Sequence, residues 1–259
     1  MNRQAQAAVL FLLGASLLHA ATTDLYLRYV KEGLRPLVLA AGAALILTAL
    51  ATTWYEWRAR RAPQAPHPSQ DPHPAETVSL SKDARPVTDT HPEPRISWLL
   101  LLPLLALILL APPALGSYSA TRTGTALQEP LAYPRLPATD PLPLSVVDYA
   151  GRAVYDDGRT LTGRTVRLTG FVALEHDGTP YLVRMALNCC AADAQPVKVG
   201  LTGEVPPVLQ PDTWLEITGT YTPRRAHDPV NDGPIPFIEV TRARPVPPPR
   251  DPYDESWNT

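Results

Sequence analysis

Two cysteines occur in the 259 residues, and they are neighbours, Cys189 and Cys190, with Asp193 three positions on. Two thiolates and a carboxylate are a ligand set for Zn²⁺ or Cu(I). A fourth ligand would then come from His176, His227 or water. The same pair could close into a vicinal disulfide, a strained and reducible link in an oxidising compartment. The plainest alternative is two small buried residues beside a turn, since cysteine buries readily. In an ideal strand neighbouring side chains point to opposite faces. Capture of one guest therefore requires non-extended backbone around residues 188–191. Arg184, five residues before Cys189, is expected to pair with Asp193. No phosphate-binding glycine loop, Gly-x-Ser-x-Gly elbow or His-Glu-x-x-His pair is present, and nothing supports an enzyme.

The segments around the pair alternate like strands. In 164–174, Val166, Leu168, Gly170 and Val172 share a face; 180–188 follows after the turn His-Asp-Gly-Thr-Pro. In 195–201, Val197, Val199 and Leu201 share a side; 213–221 and 236–244 complete a set of five. Gly-Arg-Thr-Val-Arg-Leu-Thr-Gly and Asp-Thr-Trp-Leu-Glu-Ile-Thr-Gly echo each other, each with an interior glycine where a bent or bulged strand wants one. Five short bent strands predict a small closed barrel of the oligonucleotide/oligosaccharide-binding (OB) type; a β-sandwich is the alternative. The stretch 202–211 is too proline-rich for a helix. The barrel's helix is expected before the first strand instead, with Ser145 as cap and Gly158 as stop. The domain is assigned to residues 144–245, preceded by a spacer at 117–143 and followed by an extended proline-rich tail at 246–259.

The N-terminal part is different in kind. Apolar runs at 7–21, 36–55 and 96–116 lack a polar stripe, which predicts three transmembrane helices rather than buried core helices. The first run also has features of a signal peptide, but Leu18-His19-Ala20 is a poor cleavage site, and an uncleaved helix extending toward Leu25 is expected. His19 is expected to reach the interface. Residues 1–57 hold two of the helices and 58–95 form a linker; eight prolines in 62–94 and little apolar content predict a disordered cytoplasmic segment whose His67, His73 and His91 are solvated. Arg58, Arg60 and Arg61 follow the second run, which places that linker inside and the C-terminal domain outside. Arg28, Lys31 and Arg35 in the first loop argue the other way.

Overall charge is close to neutral, at −2, and from residue 117 onward 13 Lys and Arg face 17 Asp and Glu. Phosphate binding needs a basic footprint, so nucleic acid is excluded as a partner.

The stretch Arg184–Pro196, R-M-A-L-N-C-C-A-A-D-A-Q-P, together with G-R-T-V-R-L-T-G-F-V and I-E-V-T-R-A-R-P, resembles the YcgQ family, small subunits of a two-component membrane permease. The resemblance implies N-terminal membrane helices, a further helix before a β-rich domain, and a larger multi-span permease as partner, for a metal ion or related solute. The sequence is thus read as a membrane-anchored α + β protein, an accessory permease subunit in the cell membrane. Its outward domain captures solute at Arg184, Cys189, Cys190 and Asp193. An envelope thiol-redox or sensor protein and a protein-binding scaffold are the rival readings.

Overall fold

A computed structural model of the chain describes residues 3–61, 105 and 113–255. It divides into two compact units, Met1–Leu18 with Ala40–Ala111, and His19–Leu39 with Pro112–Thr259.

The larger unit is built on a closed five-stranded barrel. Its strands are β2 (Thr165–Leu174), β3 (Pro180–Leu187), β4 (Gln195–Gly203), β5 (Trp214–His227) and β6 (Pro234–Pro245). Around the barrel the order is β2-β5-β6-β4-β3, and β3 pairs back onto β2. All of these pairings are antiparallel except β4 with β6. This is the Greek-key connectivity expected of an OB-type barrel. The interior holds the residues whose alternation marks them, including Val166, Leu168, Val172, Val197, Val199, Leu201, Leu215 and Ile217.

The echoed glycines sit where chains approach closely. A Cβ on Gly219 would lie 2.3 Å from the Glu239 carbonyl oxygen, and one on Gly170 would lie 2.7 Å from that of Val183. The β5–β6 register shifts between Thr218 and Gly219, which is the expected bulge. Before the barrel runs α4 (Val146–Tyr155), with the Ser145 hydroxyl accepting from the Asp148 N–H at its start. Gly158, at φ +66, lies just past its end.

The spacer and the tail belong to this unit, contrary to the boundaries read from sequence. The helix α3 (Ser117–Arg122) and the short strand β1 (Leu142–Pro143) lie in the expected spacer. The tail folds back as β7 (Tyr253–Glu255). The β2–β3 pairing covers only Phe171–Leu174 against Pro180–Val183. Past it, β1 adds in parallel to β2 and β7 in parallel to β3. A second apolar cluster forms on the outer face of β2 and β3, from Phe171, Tyr181, Val183, Met185 and Leu187 with Ala120 and Tyr253. Its cover comes from the two segments that looked least like structure. A buried ion pair, Lys198 Nζ to Asp228 Oδ2 at 2.7 Å, stands beside Thr125, whose N–H also donates to Asp228.

The two N-terminal helices are α1 (Arg3–Thr22) and α2 (Arg35–Arg61). Both are long and apolar enough to cross a membrane. In the smaller unit they meet through Gly14 and Gly42: a Cβ on Gly14 would lie 2.8 Å from the Gly42 carbonyl oxygen. Close backbone approach at small residues is how apolar helices pack without a polar stripe. The helix α1 ends at Thr22 rather than extending to Leu25; residues Asp24–Arg28 form a 3-10 turn instead. His19 is exposed in the last turn of α1. The third apolar run, apart from Leu105 and residues 113–116, and the linker histidines lie outside the described residues.

Candidate functional site

The strand β3 ends at Leu187, and the chain then leaves the sheet. Residues 188–189 bend, Cys190 is extended at φ −154, ψ 166, and Ala191–Asp193 form a single 3-10 turn. The non-extended geometry required for capture thus lies on either side of Cys190, not at it. The turn carries the Asp193 carboxylate back over the loop. Its two oxygens accept the N–H of Asn188 at 3.1 Å and of Cys189 at 3.0 Å, while the Cys189 thiol donates to Oδ2 at 3.0 Å. One ligand atom each from Cys189, Cys190 and Asp193 lie within 4.8 Å of one another. Both thiols are free, Cys189 exposed and Cys190 half-buried. The pair lies beside a turn, as the plainest reading had it, but it is not buried.

The electrostatics follow from that contact. The hydrogen bond to Asp193, and next the Cys190 thiol, push the Cys189 thiol up from 9.0 to about 11. For Asp193 partial burial works upward. It is outweighed by hydrogen bonds from the Cys189 thiol and the loop N–H groups, so the carboxylate titrates below its ordinary range. A thiol held protonated is a poor nucleophile. A metal cation that replaces the proton meets a sulfur, a second sulfur and a carboxylate already oriented.

The loop is held from outside the barrel. Residues between α1 and α2 pair with it: Val30 forms an antiparallel bridge with Cys190. The Lys31 N–H donates to the Cys189 carbonyl at 3.1 Å and the Ala191 N–H to the Tyr29 carbonyl at 2.7 Å. The connector is anchored further by the tail. Arg250 pairs with Asp24 at 2.7 Å, and the Tyr253 hydroxyl donates to the Arg28 carbonyl at 3.0 Å. Arg35 Nε donates to the Ala21 carbonyl, satisfying an open acceptor at the end of α1.

Arg184 does not join the cysteine cluster. Its Nε donates to Asp254 Oδ1 at 2.9 Å, and another guanidinium nitrogen to the carbonyls of Asp251 and Tyr253. It pins β7, and its guanidinium lies 5.1 Å from the Trp214 ring centre. The expected Arg184–Asp193 pair is replaced because β7 lies beside β3 and supplies a nearer carboxylate. His176 and His227 are not fourth ligands in this arrangement. His176 lies in the β2–β3 turn beside Glu175, and His227 ends β5 beside Asp232. Among the described residues, the cluster of possible ligands at this loop is Cys189, Cys190 and Asp193, which leaves further positions to water or a partner.

Sequence reasoning missed the connector's role and that of Asp254. Neither has a local signal: the pairing of Val30 with Cys190 joins segments remote in sequence, and Asp254 sits among prolines. No curated protein and no solved structure matches the chain. Residues 148–254, from α4 to β7, match the family model described as the DUF1980 C-terminal domain, so the barrel with its returning tail is similar to an uncharacterised family of domains.

Proposed function

We propose that the chain is a membrane-anchored accessory subunit whose outward barrel captures a thiophilic ion, or a solute of like chemistry, and presents it to a multi-span permease. The observation that carries this reading is the convergence of two free thiols and one carboxylate on an exposed, backbone-clamped loop. Zinc and Cu(I) suit those ligands. The raised Cys189 thiol weighs against a thiolate nucleophile and hence against a redox enzyme.

The membrane arrangement is supported by the connector. Residues 29–31 are hydrogen-bonded to the cysteine loop, so connector and barrel share one side of any bilayer. If α2 crosses away from that side, the chain must cross back before residue 113. The apolar run at 96–116 is the stretch suited to do so, giving three spans. Arg58, Arg60 and Arg61 after α2 favour a cytoplasmic linker and an outward barrel. Partnership with a permease rests on the resemblance of the Cys-Cys-Ala-Ala-Asp-Ala stretch to permease small subunits.

The test is a titration of the reduced, detergent-solubilised chain with Zn²⁺ and with Cu(I) against competing chelators. One equivalent binds, and Cys190→Ala abolishes it. Unchanged binding in the Cys189→Ala/Cys190→Ala double variant defeats the proposal.

A further inference from the structure

We infer that residues 29–31 are positioning residues for the thiol pair: their pairing with Cys189–Ala191 holds the pair as a dithiol and opposes its closure into a vicinal disulfide. The inference rests on the capture reading only for its purpose, which is to keep both sulfurs available to a guest in an oxidising compartment. Its physical content is independent.

Closure would form one Sγ–Sγ bond and release two protons and two electrons. A disulfide oxidant such as oxidised glutathione takes these up and is cleaved to two thiols. Neighbouring Cα atoms across a trans peptide are about 3.8 Å apart, whereas relaxed disulfides want about 4.4–6.8 Å. An adjacent pair therefore closes only if the backbone between the two residues twists. Here that backbone is committed. The Cys189 carbonyl faces the Lys31 N–H, and the Ala191 N–H faces the Tyr29 carbonyl, one on each side of an extended Cys190. Twisting the 189–190 peptide breaks the alignment of both bonds. The Cys189 thiol proton is also engaged by Asp193.

Two proline substitutions remove these bonds and suit the local backbone conformation. Ala191 opens a 3-10 turn, where proline is tolerated, and Cys190 before it has the extended conformation that proline demands. Lys31 has φ −59, the proline value, and precedes another 3-10 turn. The full chain, purified in detergent without metal, is equilibrated in reduced and oxidised glutathione. It is then quenched with acid, and the Cys189–Cys190 bond is read by mass spectrometry. Ala191→Pro raises the equilibrium constant for closure about five- to tenfold, the factor carried by one backbone hydrogen bond. Adding Lys31→Pro brings the total to about thirtyfold, or about 45 mV for two electrons. Lys31→Ala, which keeps the N–H, leaves the constant unchanged. An unchanged constant in both proline variants overturns the inference, as does an equal shift from Lys31→Ala. Because no metal is present, failure of the chain to bind zinc or copper leaves this result standing, and the converse also holds.

Discussion

Removing the charge of Asp193 while keeping its shape tests whether that carboxylate controls the Cys189 thiol. Asp193→Asn retains an oxygen for the loop N–H groups but loses the anion that accepts the thiol proton at 3.0 Å. With Cys189 titrating at about 11 instead of 9.0, its thiolate fraction at pH 8 is about one in a thousand instead of about one in ten. Asp193 is the first cause of that rise and Cys190 the second. Its removal should therefore recover most of the difference, roughly thirtyfold in thiolate. Intrinsic nucleophilicity falls as the pKa falls, which takes back about fivefold. The net expectation is roughly a sixfold faster alkylation of Cys189 by iodoacetamide at pH 8. The label is assigned to Cys189 or Cys190 by tandem mass spectrometry. In the unsubstituted chain the rate climbs with pH toward a midpoint near 11, and in the variant the midpoint is lower. An equal or slower rate in Asp193→Asn, or an unsubstituted midpoint at the ordinary thiol value, refutes the reasoning. The linkage has a definite sign. The raised Cys189 stabilises the folded loop below about pH 9, and that contribution is lost as pH rises through about 11. The lowered Asp193 contributes above its ordinary 3.8 and is lost on acidification through its depressed value.

Other outcomes follow from the packing. Asp254→Ala leaves Arg184 buried with only backbone carbonyls; it should weaken docking of β7 by about 3 kcal/mol and speed trypsin cleavage after Arg250 roughly a hundredfold, read on gels. Gly219→Ala drives a methyl against the Glu239 carbonyl and should lower stability by about 2 kcal/mol in chemical denaturation. Reporter fusions after Arg61 should be active in the cytoplasm and those after Glu255 outside it; the reverse pattern ends the topological argument.

The barrel was legible because its strands pack a closed core on one face. Val166, Leu168 and Val172 in β2, and Val197, Val199 and Leu201 in β4, alternate as a half-buried strand must. The Ser145 cap and Gly158 stop were legible for the same local reason. The added strands were not. Leu142–Pro143 is too short to show a period, and Tyr253 is the lone buried apolar residue of β7 in a proline-rich tail. The cysteine loop was half legible. Its ligand types were plain, but Arg184 was assigned Asp193, the acid that follows the cysteine pair, when Asp254 is the one in contact. The clamp from residues 29–31 is made by backbone groups, which side-chain identity does not encode.

The most direct measurement is X-ray absorption at the metal edge of the full chain carrying one equivalent of zinc. Capture by both cysteines predicts two sulfur neighbours at about 2.3 Å with lighter oxygen or nitrogen atoms completing the shell. A shell with no sulfur, or with one, would contradict the claim that Cys189 and Cys190 together hold the guest.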